Sequence, residues 1–235
     1  MSSATAAVSQ SYVRFAGCCY LLIIALGLFA ETQVRGNLIV AGDASATAAQ
    51  IGAASTLWRS GIVADLCMQL LDIPIIVLFY LLFKRVNAAL NLTATGFNLI
   101  QTAVLVANKL TLMLPLLLAG SGAYLAAFST EQRDALAYLA IQLHGYGFAI
   151  GLLFFALACV IRGYLIIQSQ FFPKILGLML GLAGVCYLVN TLALLLAPEL
   201  ADMLFPWIML PVLVGELSLS LWMIVKGANV KGLAQ

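Results

Sequence analysis

Trp58–Phe83 reads WRSGIVADLCMQLLDIPIIVLFYLLF, and this stretch decides the fold. It is long, almost wholly apolar, and interrupted only by Arg59, Asp65, Gln69 and Asp72. A helix needs about 20 mainly apolar residues to cross the hydrocarbon at roughly 1.5 Å of rise each. Five further stretches of this kind follow from the sequence, near 12–30, 90–118, 135–161, 175–197 and 204–225. Lipid offers no partner to open backbone groups, so each is expected to be helical. The runs are continuous, not alternating, which argues against a barrel. The expected fold class is therefore all-α: a polytopic integral membrane protein, a bundle of six transmembrane helices forming a single transmembrane domain over 1–235.

The composition agrees. Apolar residues make up 64% of the 235 and charged residues 9%, with a net charge of +2. Soluble domains run at roughly 45–50% apolar and about 25% charged, so a water-soluble globule is excluded. No strongly basic surface exists for nucleic acid, so none is expected as a partner; the lipid bilayer is. The first span has the charge pattern of a signal peptide, but Leu28 stands where cleavage after Ala30 wants a small residue, and a retained helix is expected. The five cysteines all fall in spans without a C-x-x-C and read as packing residues.

Charge placement orients the chain. Arg14, Lys84, Arg85, Arg162, Lys174, Lys226 and Lys231 lie at one set of span ends, and Arg35, Arg59 and Arg133 at the other. The positive-inside rule then predicts both termini in the cytoplasm and the protein in the cytoplasmic membrane. Asp43 followed by good helix formers predicts a short outer-surface helix in the 31–57 loop. Trp58, Tyr138, Trp207 and Trp222 are expected as interface anchors.

Ionisable residues in lipid are costly and usually face a bundle interior. Asp65, Gln69 and Asp72 recur at i, i+4, i+7 and share one helical face. Asn98, Gln101 and Asn108 form a second stripe, with Lys109 beside it. His144, Asn190 and Glu216 stand alone in the fourth, fifth and sixth spans. Rise per residue puts Asp65, Lys109, His144 and Asn190 at one level, with Asp72, Gln101 and Glu216 one or two turns deeper. The expectation is a polar pocket opening outward, lined by Asp65, Asp72, Gln101, Asn108, Lys109, His144, Asn190 and Glu216. No cofactor is expected; His144, Asp65 and Glu216 are the alternative set for a divalent metal. Each group also has a plainer role, as a buried ion pair or amide that only holds helices in register. Gly147-x-x-x-Gly151 and Gly177-x-x-x-Gly181 read as helix packing faces and as a route to a homo-oligomer. No phosphate loop, dinucleotide fingerprint or nucleophile elbow occurs.

Several segments together resemble the uncharacterised bacterial six-span family catalogued as domain of unknown function 4386. They are Gly27-Leu-Phe-Ala-Glu31, Val34-Arg35, Leu38–Asp43, Trp58–Asp65, Leu82–Asn87, His144-Gly-Tyr-Gly147, Phe172–Gly177 and Gly215–Leu219. The resemblance implies a bacterial inner membrane and no known activity. It also marks Glu31, Arg35, Asp43 and Arg59 as candidates for the pocket rim. Three functions compete. One is a carrier or binding protein for a small polar solute, cation or proton. Another is a non-catalytic accessory or stress-linked component. The third is an intramembrane enzyme on a lipid-like substrate, with His144 as base; enzymatic activity is thus left open.

Overall fold

The computed structural model describes residues 8–229. Lys231, counted above among the inner charges, lies outside them. Helix α1 (Gln10–Leu28) starts at Ser9, whose side chain accepts from the Tyr12 N–H. It continues through a π-helical turn, Phe29–Arg35, to Leu38. Gly42 adopts a left-handed φ of 78°, which a side chain would resist. That turn hands the chain to Asp43, which caps α2 (Ala44–Ala53) by accepting from the Ala46 N–H at 2.9 Å. The expected short helix is thus present.

The long helices are α3 (Ser55–Phe83), α4 (Ala88–Leu118), α5 (Thr130–Gln168) and α6 (Lys174–Leu196). Asn87 caps α4, and Ser129 with Gln132 forms a capping box on α5. At 39 residues α5 is about 58 Å long and overruns the hydrocarbon. Among the described residues, five helices are long and apolar enough to span a membrane by themselves. The candidate sixth span is a bent pair: α7 (Pro198–Leu204) and α8 (Met209–Val225) meet at 57° and are long and apolar enough only together. The prolines at 206 and 211 explain why no single straight helix runs over 204–225. The protein is an all-α, multi-pass membrane bundle.

The spans form a closed ring in the order α1, α3, α4, α5, α6, α8 and back to α1. Missing Cβ atoms let the walls close. A Cβ on Gly163 would stand 2.5 Å from the Gly177 carbonyl oxygen, and one on Gly177 would stand 2.6 Å from that of Gly163. Gly184 meets the Ala156 carbonyl in the same way. Gly147 and Gly151 receive Asn108 and Leu105 of α4. The faces of Gly147, Gly151 and Gly177 are therefore helix packing surfaces within the chain, as their spacing predicts.

Core packing concentrates at the two ends of the ring. At the end holding the chain's first helix start, Val13, Leu82, Phe83, Leu165, Leu219 and Met223 are fully buried. At the other end a smaller cluster surrounds Trp58, Ile62, Leu112 and Ile141. Trp58 corrects an expectation. It is no interface anchor, being buried with its indole N–H donating 2.8 Å to the Leu112 carbonyl. Tyr138 instead ties down the loop before α2, its hydroxyl accepting from the Gly42 N–H at 2.8 Å. Leu70, Leu110, Leu139 and Leu178 point outward, an apolar surface suited to lipid.

Candidate functional site

Between the two core clusters the ring encloses a cavity of about 840 Å³, lined by residues of all six spans. Of the residues expected to line a pocket, Asp65, Asp72, Gln101, His144, Asn190 and Glu216 do so. Of the expected rim, Glu31 and Arg35 do so, carried there by the π-helical turn of α1. Asp43 and Arg59 do not: Asp43 is spent on capping α2, and Arg59 is exposed on α3 away from the cavity. Asn108 and Lys109 stand one layer behind the wall, holding residues that line it.

An ion cluster stands at the Glu31–Arg35 part of the wall. Arg35 bonds Glu31 Oε2 through Nε at 2.8 Å and Asp65 Oδ2 through Nη1 at 2.8 Å. Lys109 Nζ reaches the same Asp65 oxygen at 3.1 Å and stands over the Phe148 ring. The Asp65 and Lys109 side chains are 4% and 5% exposed, and Glu31 is 64% exposed. Two cations thus face two carboxylates, so the Asp65 charge is already answered.

His144 is held from behind. Its backbone carbonyl can only accept, so the nitrogen of the Asn108 amide must face it, at 2.9 Å. The same nitrogen stands 3.0 Å from Nδ1, which also lies 3.4 Å from the Asn108 backbone carbonyl. Gly147 makes the arrangement possible, since a Cβ there would lie 2.2 Å from Asn108 Oδ1.

A second network lies deeper. Asp72 Oδ2 accepts from Asn98 Nδ2 and from the Thr102 hydroxyl, each at 2.9 Å. Asn98 Nδ2 also donates to Gln101 Oε1 at 2.7 Å, and Asn98 Oδ1 accepts from Arg162 Nη1. Asn98 therefore links the Asp72 carboxylate to the Arg162 guanidinium, which lies over the Phe79 ring at 5.1 Å. Arg162 corrects the orientation reading. It is 3% exposed and lines the cavity, so it is not an inner-loop charge. The signal was in the sequence: Gly163-Tyr-Leu-Ile-Ile167 prolongs the apolar run past it.

Three buried polar atoms on this cavity have no partner: Glu216 Oε1, Asn190 Oδ1 and Arg162 Nη2. Glu216 is 8% exposed and forms no ion pair among the described residues. The Tyr187 side chain lies beside its carboxylate. Tyr187, like Tyr20, Phe155, Phe148 and Phe79, also lines the cavity. Sequence reasoning missed these aromatics, because a ring in an apolar run carries no local mark of facing inward. Among the described residues, no three His, Cys, Asp or Glu side chains are grouped to hold a metal ion. His144, Asp65 and Glu216 share the cavity without forming a ligand set.

Residues 15–227 match the model of the family described as Domain of unknown function (DUF4386). The chain belongs to the DUF4386 family. No curated protein and no solved structure matches it. In this DUF4386 chain the match reaches all six spans and takes in every polar residue of the cavity wall.

Proposed function

We propose that the protein binds or carries a small organic cation in its central cavity, with Glu216 as the counter-charge. The observation that carries this reading is Glu216: a buried carboxylate with an unpartnered oxygen and no cation beside it. Charge balance supports it. Arg35 and Lys109 offset Glu31 and Asp65, and Arg162 offsets Asp72 through Asn98. Glu216 alone is left over. Leaving a charge unanswered in lipid is costly, and either a proton or a ligand cation removes that cost. The aromatic wall supplies ring faces that attract cations, and the cavity volume is that of a small-molecule site. Proton and ligand competing for one carboxylate would couple their movements. The remaining basic residues, Arg14, Lys84, Arg85, Lys174 and Lys226 against Arg59 and Arg133, support both described ends lying on the cytoplasmic side.

The test uses hexylguanidinium, whose persistent charge keeps it from crossing lipid unaided and whose N–H groups can donate to Glu216 and Asn190. In proteoliposomes, a pH gradient is expected to drive its uptake with the parent protein and not with Glu216→Gln. Equal uptake by both, or no uptake by either together with no binding of the probe to the parent protein in lipid nanodiscs, refutes the reading.

A further inference from the structure

The cavity has three unpartnered atoms, and the cation reading uses two of them. Glu216 Oε1 and Asn190 Oδ1 both accept, and an ammonium N–H can satisfy each. Arg162 Nη2 is different. It is a donor on a side chain 3% exposed, with its Nη1 committed to Asn98. A buried N–H without an acceptor is costly, so a ligand that fits the cavity should bring one. The character of that acceptor follows from charge. Arg162 is already offset by Asp72 through the Asn98 amide, so a second anion there would leave the cavity over-supplied with negative charge. A neutral acceptor leaves the balance intact.

We propose that the natural ligand is a singly charged primary or secondary amine that carries a neutral oxygen acceptor, a hydroxyl or carbonyl, on an otherwise apolar body. Its ammonium binds Glu216 and Asn190, and its oxygen accepts from Arg162 Nη2. The apolar body lies along Leu180 and Phe155 on the wall. This rests on the cation reading, which would stand without it.

Water-soluble short probes test the class in lipid nanodiscs by titration calorimetry, with empty discs as the blank. They are hexylamine, hexanol, 6-aminohexanoate, and aminohexanols with the hydroxyl stepped along the chain. One aminohexanol isomer is expected to bind about tenfold more tightly than hexylamine, the scale of one hydrogen bond to a charged group. Arg162→Lys keeps the charge facing Asp72 and removes the Nη2 arm. It is expected to erase that advantage, so that the aminohexanol isomer and hexylamine bind the variant alike. If every isomer binds like hexylamine, or if the tighter isomer keeps its advantage in Arg162→Lys, the acceptor inference is overturned and the cation reading survives. If 6-aminohexanoate binds best, the neutral-acceptor claim is overturned. If hexanol binds and hexylamine does not, or nothing binds, both readings fall. The comparison of probes on the parent protein needs no variant, so a misfolded Arg162→Lys would not shield the proposal.

Discussion

Asp65 and Glu31 show how environment sets what one carboxylate is worth. Both pair with Arg35, but Asp65 is buried with a second cation on it and Glu31 is largely exposed. Asp65→Asn leaves Arg35 and Lys109 without their shared counter-charge, and is expected to cost about 3–5 kcal/mol. Glu31→Gln is expected to cost about 1 kcal/mol or less, because water screens that pair. Denaturant unfolding of both variants in the same micelles would check the contrast, and equal losses would contradict it. The residues also differ in how legible they were. Asp65, Gln69 and Asp72 could be found from spacing alone, since i, i+4, i+7 fixes a shared face whatever the neighbours are. Arg162 was missed although the apolar run continues past it, because a cation near a span end was counted as a topology signal, and the helix in fact runs on to Gln168.

At the scale of the element, glycine placement sets which helices touch. Gly163 of α5 meets backbone atoms of Gly177 and Gly181, and backbone cannot move aside. Gly163→Val is expected to push α5 from α6 and destabilise the fold by about 3 kcal/mol or more. A loss within experimental error would show that the two helices are not in backbone contact. Gly181 has open space where a methyl group would stand, so Gly181→Ala serves as the control and is expected to be near neutral. Asp43→Ala removes the cap of α2 and is expected to cost about 1 kcal/mol, read by unfolding or by faster amide exchange over Ala44–Thr47. The short helix itself was legible, because a capping residue before good helix formers acts locally. The break between α7 and α8 was not read as a break, since hydropathy counts apolar residues and is blind to the bend that Pro206 and Pro211 permit.

At the scale of the whole molecule, the prediction concerns sidedness. Cysteines introduced by Arg59→Cys and Arg133→Cys are expected to react with a membrane-impermeant maleimide added outside intact cells. Lys84→Cys and Lys174→Cys are expected to react only after permeabilisation. The opposite pattern would invert the orientation drawn from the basic residues. The native cysteines are first replaced, since Cys18 is exposed.

Hydropathy and length by themselves determined that this chain is an all-helical membrane protein, because the free energy of inserting a span depends on its own residues. Helical spacing likewise determined which polar residues share a face. The order of the ring, the pairing of Arg35 and Lys109 with Asp65, the entry of Arg162 and the isolation of Glu216 were decided only in the tertiary structure. The reason is physical. A buried charge is defined by what faces it, and what faces it belongs to helices distant in sequence.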